Sequence, residues 1–253
     1  SIYIKGYSMS KYSLLSQSEH AKLRVITERG AAYGDNLMYA MTFPLEFRNI
    51  ESSYPIFFAK DGESGQFYPL ALFGFQRDEN LYLKGSHWDA TYMPMMVERN
   101  PFLIGFQQSP DVENGEKRPV VSINIESPRI TEIETEVKSE ALFTDSGEPS
   151  EYLQKSMENL QTIHRGHEQN KAFIAVLLEN DLLEGFNLDI TLKDGSNNRL
   201  EGFYTINEEK LAGLQAETLG KLHEQGFLQA IYMAVASFSR VSGLIAKKNA
   251  SLD

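Results

Sequence analysis

Three small groups of residues have the types and spacing that chemistry would need. In the stretch SHWDATYMPMMVERNPF, residues 86–102, His87 and Asp89 stand two apart around Trp88, the one tryptophan of the chain. Residues two apart on an extended segment face the same way, so both side chains could reach one ion. Non-haem Fe(II) oxygenases hold their metal with two histidines and a carboxylate and leave positions open for oxygen and a co-substrate. A second histidine would have to come from His164, His167 or His223. In HRGHEQ, residues 164–169, His164 and His167 lie at i, i+3 on one helical face beside Glu168, a set able to ligate zinc. Glu132, Glu134 and Glu136 alternate with Ile133, Thr135 and Val137, and on a strand the three acids would share one face toward a cation or basic partner.

Each group also has a plainer explanation, which carries more weight. A bare His-x-Asp pair is common, and oxygenases of that type usually rely on an eight-stranded jelly roll, whereas here the pattern turns helical after residue 145. Asp89 as a turn or helix cap, with His87 partly exposed, is the preferred reading. HRGHEQ is not His-Glu-x-x-His, and its polar run reads as a solvated helix segment. The three glutamates read as a solvent-facing strand or loop. No nucleophile elbow, P-loop or dinucleotide fingerprint is present. The sequence therefore assigns no catalytic residue, metal or cofactor. If the tryptophan corner binds anything, the residues to watch are His87, Trp88, Asp89, Tyr92 and Arg99. Trp88 itself is expected to be buried with its indole N–H satisfied. Its expected neighbours are Tyr92, Met95, Met96 and Phe102.

Composition narrows the function classes. The chain has 253 residues, 42% hydrophobic and 23% charged, enough to bury a sizeable core. A net charge of −11 argues against wrapping nucleic acid, whose affinity comes mostly from Lys and Arg on phosphates, and against docking on anionic lipid. The absence of cysteine excludes disulfides, thiolate metal sites and cysteine nucleophiles. The first residues are too polar for a secretory signal. Met9 is an alternative native start, which would make Ser1 to Ser8 an addition. The segment FLQAIYMAVASFSRVSGLIA, 227–246, is long enough to span a bilayer, but it carries Arg240 and several serines. Leu228, Ile231, Tyr232, Val235, Phe238 and Ile245 recur as on one face, so it is expected to be a core helix rather than a membrane segment.

The elements that must position these residues follow from the punctuation. KLRVIT (22–27), YPIFFA (54–59), FYPLALFGF (67–75), NLYLKG (80–85) and RPVVSINIES (118–127) read as strands, with Pro69 marking an edge or irregular position. Short helices start at Pro44 and Pro94. TDSGEPSEYLQ opens a long helix whose stripe runs through Leu153, Met157, Leu160, Ile174 and Leu178 to about Leu183. A hairpin with DGSNN at its tip follows, then short helices around EEKLAGL and AETLGKLHEQ, then the segment at 227–246. The expected class is α+β, with a mostly antiparallel sheet in the N-terminal half, helices packed against it, and a C-terminal half mainly helical with one β-hairpin. No linker divides the chain, so a single domain over residues 1–253 is expected.

The blocks YPIFFA, LALFGFQRDENLYL, WDATYMPMMVERNPF, ALFTDSGEPSEYLQ, LEGFYTINEEKLAGL and LHEQGFLQAIYMAVASFSRVSGLI resemble, in order, those of SapC-like bacterial proteins over residues 20–247. The resemblance implies an association with surface-array (S-layer) biology of Gram-negative bacteria. It also implies genomic company of outer-membrane receptors, flavin-dependent halogenase-like proteins and cupin-like hydroxylases. It brings no catalytic residues with it. The expected function is a soluble, non-catalytic accessory or binding protein acting through a protein partner or a small ligand, without nucleic acid or membrane insertion. A homo-oligomer is one arrangement it admits. The alternatives are a metal-dependent oxygenase or hydrolase at His87 and Asp89, and a structural surface-layer component. The expected location is cytoplasmic, or the cell surface if secretion is dedicated.

Overall fold

Residues 12–108 and 117–252 are described in a computed structural model of the chain, so Ser1 to Ser8 and Met9 lie outside the described residues. Mixed helices and antiparallel sheets give an α+β fold. The main sheet has five antiparallel strands in the order Leu183–Thr191, Asn197–Ile206, Ile56–Lys60, Phe67–Leu72 and Tyr39–Met41. It therefore draws on both halves of the chain, because the C-terminal hairpin completes a sheet begun by the N-terminal strands. Ile56, Phe57, Phe58 and Ala59 are all buried, so this strand is covered on both faces, which explains its continuous apolar run in place of alternation.

Pro69 is accommodated inside this sheet. Its strand is interior rather than at an edge, but pairing with Tyr39–Met41 reaches only Met41 opposite Leu70. Beyond that pair Thr42 N donates to Pro69 O at 3.0 Å. Proline has no N–H to return the bond. The buried carbonyl of Thr42 instead accepts from Asn170 Nδ2 at 3.0 Å, a donor from a helix far along the chain.

That helix, Glu151–Glu179, is the spine of the fold. Ser150 caps it, its Oγ accepting from Leu153 N at 3.1 Å, and Glu151 sits in the first turn where the helix dipole favours an acid. At 1.5 Å per residue its 29 residues span about 43 Å. Leu153 and Leu160 pack with Leu23, Val25, Phe102, Ile123 and Leu142 in one apolar cluster. Ile163 joins Phe43 and Met95 in a second, and Phe173, Ile174 and Leu177 enter the main core against the five-stranded sheet. The inner stripe at the C-terminal end passes through Leu177; Leu178, expected on it, is exposed.

The polar stretch from His164 to Lys171 reads in the sequence as solvated, but its inner face is packed. Gly166 lies against Phe43 so closely that a Cβ there would come within 2.5 Å of the ring. Asn170 is buried, and His167 rests edge-on against Phe43 with centroids 5.0 Å apart. Apolar periodicity is blind to a helix face made of glycine and asparagine.

Two smaller three-stranded sheets, Tyr12–Leu14 with Lys117–Asn124 and Phe102–Gln108, and Ile130–Thr131 with Arg24–Ile26 and Ser139–Ala141, are both antiparallel. Glu132, Glu134 and Glu136 fall in the exposed loop after Thr131, not on a strand, so they share no sheet face. NLYLKG contributes only Leu83–Lys84, which forms a two-stranded hairpin with His87–Trp88 across Gly85 at φ +60°.

The final apolar segment is split. Helices Phe227–Ser237 and Arg240–Ala250 meet at Phe238 and Ser239. Together they cover 24 residues, long and apolar enough by length and composition to cross a membrane. Their inner face, Phe227, Ala230, Ile231, Ala234, Val241 and Leu244, belongs to the main core. Buried Ser237 takes Ile56 N as a donor at 2.8 Å, which ties this end of the chain to the sheet. The face is rotated from the expected one: Ile231 is inside, whereas Tyr232 is 50% and Phe238 is 42% exposed. Alanines and a serine line the contact, so the larger residues that mark a stripe in the sequence are partly turned outward. Arg240 lies at the surface and donates to Glu51 O at 2.9 Å.

Candidate functional site

At the tryptophan corner His87 is exposed, and Asp89 is held by Lys247 from the last helix and by Lys84 at 2.7 Å. These two ammonium groups hold the Asp89 carboxyl at about 2, below its ordinary range. A carboxylate so engaged is a structural anchor for the C-terminal helix. Lys248 makes the neighbouring pair with Glu79. No group of three or more His, Cys, Asp or Glu positioned for a metal ion occurs among the described residues.

Trp88 is 6% exposed and its indole Nε1 donates to Tyr54 Oη at 2.8 Å, as the sequence leads one to expect. Its ring meets Phe73 edge-on at 5.3 Å. The neighbours differ in part from those expected, since Phe102 belongs to the separate cluster under the start of the long helix. Tyr54 Oη passes the chain of bonds on to Tyr92 O. Tyr92 Oη donates to Glu46 Oε2 at 2.8 Å, Thr42 Oγ1 to Glu46 Oε1 at 2.7 Å, and Met95 N to Glu46 Oε2 at 3.2 Å. Burial pushes the Glu46 carboxyl up, and its donors oppose that shift. Burial and the Glu46 charge hold Tyr92 as a neutral phenol. Closed to solvent at Glu46, this network joins residues 42–46 to 92–95 and gives a substrate no access there. Arg99 is buried as well, donating from Nη1 to Phe102 O at 3.0 Å.

His164 and His167 do not converge on an ion. The His164 ring lies tilted against Phe106 with centroids 4.5 Å apart, while His167 faces Phe43. Burial, helped by the charge of Arg99, pulls His167 down to about 4, so the ring is neutral at pH 7.

A cavity opens elsewhere. A cleft of about 320 Å³ runs between residues 26–29, the end of the short helix Met95–Glu98, Arg129 and the start of the long helix. From the helix come Tyr152, Lys155, Ser156 and Asn159, spaced i, i+3, i+4, i+7 along one face. That polar repeat stands in the sequence, but it matches no catalytic or metal-binding pattern and so draws less notice than a histidine does. None of His87, Trp88, Asp89, Tyr92 and Arg99 lines the cleft, although Glu98 and Asn100 on either side of Arg99 do.

The floor of the cleft is a buried ion pair. Arg129 and Asp35 are each 2% exposed and meet at 2.6 Å. Arg129 Nη1 also donates to Ile26 O at 2.9 Å and Glu28 O at 2.7 Å, and its guanidinium lies 5.5 Å over the Tyr33 ring. Asp35 accepts in addition from Gly30 N at 2.9 Å, and Arg29 Nη1 stands 3.6 Å from its other oxygen. Arg129 thus fixes the loop that presents Arg29. Burial pulls the Arg29 guanidinium below its ordinary value; Asp35 resists this and the charge of Arg129 adds to it. Arg129 Nε is buried and has no hydrogen-bond acceptor among the described residues. The lining gathers the charged side chains of Arg29, Arg129, Lys155 and Glu98 with the hydroxyl and amide groups of Tyr152, Ser156, Asn100 and Asn159.

A family model described as SapC matches residues 15–244. No curated protein matches the chain, and no solved structure does.

Proposed function

The chain belongs to the SapC family, and on that premise we propose that it is a non-catalytic binding protein that holds a small polar molecule in the cleft between residues 26–29 and the start of the long helix. The observation that carries this reading is the contrast between two places. At the tryptophan corner Asp89 is engaged by two lysines and Tyr92 by Glu46, with His87 exposed beside them. At the cleft, Arg29, Lys155 and a run of hydroxyl and amide side chains line an opening above a rigid buried ion pair. Preorganised polar groups in a concavity are what a specific small-molecule site needs. The oxygenase or hydrolase alternative loses its ground, because Asp89 would have to abandon both lysines to ligate a metal. A cytoplasmic location without membrane insertion is part of the proposal, supported by the inward packing of Ile231, Ala234, Val241 and Leu244. So is a protein partner that receives or delivers the ligand.

The test is a screen of isotope-labelled protein against neutral and charged metabolite mixtures, with amide resonances assigned and ligands recovered for mass spectrometry. Shifts clustered at residues 26–29, 98–100 and 152–159 with ligand recovered unchanged are expected. Chemical conversion of a ligand, or shifts centred on His87 and Asp89, would refute the proposal.

A further inference from the structure

Resting on the cleft as the ligand site, we infer that its ligand is a small organic oxyanion, a carboxylate or a phosphate ester, whose charged oxygens are taken by Arg29. In a chain of net charge −11, the cleft gathers Arg29, Arg129 and Lys155 against Glu98, with Asp35 beneath. Asp35 is already committed to Arg129 at 2.6 Å and to Gly30 N, and it meets Arg29 only at 3.6 Å. Among the residues that line the cleft, three cations stand against the one carboxylate of Glu98.

Two further features point to an incoming acceptor. Arg129, whose side chain lines the cleft, keeps a buried Nε donor with no acceptor among the described residues. The guanidinium of Arg29 offers the planar fork that carboxylate and phosphate oxygens match in pairs. The rest of the lining sets the size and character of the ligand. Ile26 and the Tyr152 ring supply apolar wall, Ser156 and Asn159 supply hydrogen bonds, and about 320 Å³ holds on the order of ten water volumes. That space suits a metabolite with a short carbon frame and is too small for a polymer. Lys155, exposed and paired with Glu151 at 2.7 Å, stands where it draws an anion in without being required for the grip.

Calorimetric titration of the full chain with inorganic phosphate, succinate and succinamide tests this directly. Phosphate and succinate report the two sources of oxyanion, and succinamide is the neutral counterpart of succinate. Saturable binding of at least one oxyanion is expected, weakened by added salt, with succinamide at least tenfold weaker. Arg29→Gln should lose at least tenfold, Arg29→Lys should recover part of it, and Lys155→Gln should lose less while increasing the loss at low salt. Unchanged Trp88 fluorescence establishes that each variant is folded. Binding of succinamide as tight as succinate, or Arg29→Gln binding like wild type, overturns the oxyanion inference and leaves the small-molecule reading standing. Failure of both oxyanions, with a neutral metabolite from the wider screen shifting residues 152–159, does the same. If no metabolite of either class shifts those residues, both readings fall.

Discussion

Replacing Gly166 by alanine sets two physical effects against each other, and the structure decides the sign. In a helix interior alanine is favoured over glycine by about 1 kcal/mol. At Gly166, however, a Cβ would lie 2.5 Å from Phe43 Cγ, 2.7 Å from Cδ1 and 3.0 Å from Cβ. Comfortable carbon–carbon separation is about 3.5–4.0 Å, so the phenyl ring or the helix must give by about 1 Å. The ring has nowhere to go. Phe43 is fully buried, lies against His167 and packs with Met95 and Ile163. Overpacking of this kind costs about 1–3 kcal/mol, and three contacts at a rigid ring put it at the upper end. The net effect is a loss of about 1–2 kcal/mol, or roughly 2–8 °C in Tm for a chain of this size. Gly220 and Gly243 are exposed helical glycines with nothing within 4 Å of where a methyl group would stand, so the same change there should stabilise by about 0.5–1 kcal/mol. Urea unfolding followed by Trp88 fluorescence and far-UV circular dichroism measures all three. Phe43→Leu combined with Gly166→Ala should cost less than the two single changes together. A Gly166→Ala protein as stable as wild type, or strict additivity with Phe43→Leu, would show that the helix does not seat on this ring.

Trp88 emission should be blue-shifted and poorly quenched by iodide or acrylamide, and Trp88→Ala should cost about 3–5 kcal/mol; freely quenched emission from folded protein would contradict the burial. Asp35→Asn leaves Arg129 buried without its counter-charge and should cost about 3–5 kcal/mol in chemical denaturation, far more than Asp89→Asn at the surface. His167 titrates at about 4 in the fold against an ordinary 6.5, so the unfolded chain binds the extra proton between these values. Its contribution is complete above about pH 6.5 and lost as pH falls toward 4; His167→Gln should flatten the stability–pH slope in that window, and an unchanged slope would count against the burial. Because one helix passes through all three apolar clusters, thermal unfolding should be a single transition by fluorescence and by circular dichroism, and two separated transitions would divide the domain.

The parts of the fold visible in the sequence are those with a strong local signal. Pro44, the helix-entry run TDSGEPSEYLQ, the apolar run in YPIFFA and the DGSNN tip are local features, and each element forms near where they stand. What escapes depends on partners distant in the chain. The rotation of the last helices is set by small residues, Ala230, Ala234 and Ser237, that fit against a strand 181 residues away. The packed face at Gly166 and Asn170 looks solvated in one dimension, since neither residue is apolar. The cleft is hardest to see, because its charged floor joins Asp35 to Arg129 and no spacing rule links residues so far apart. His87 and Asp89 draw attention through a short pattern, yet the lysine that occupies Asp89 most closely lies at position 247.

The composite five-stranded sheet has a consequence for how the protein is made. During synthesis the strand Ile56–Lys60 emerges early and can pair with Phe67–Leu72 at once. Its other edge must wait for Phe203 and Tyr204, and its cover must wait for the helix that begins at Phe227. Until then a strand whose first four residues are apolar and buried in the finished fold is open along one edge on the nascent chain. Such edges are templates for pairing with other chains. Slowing elongation between residues 100 and 206 should therefore increase loss to aggregation, with a smaller effect once Phe203 and Tyr204 have emerged. Yield in this protein would be governed by the timing of translation as much as by the stability of the finished fold.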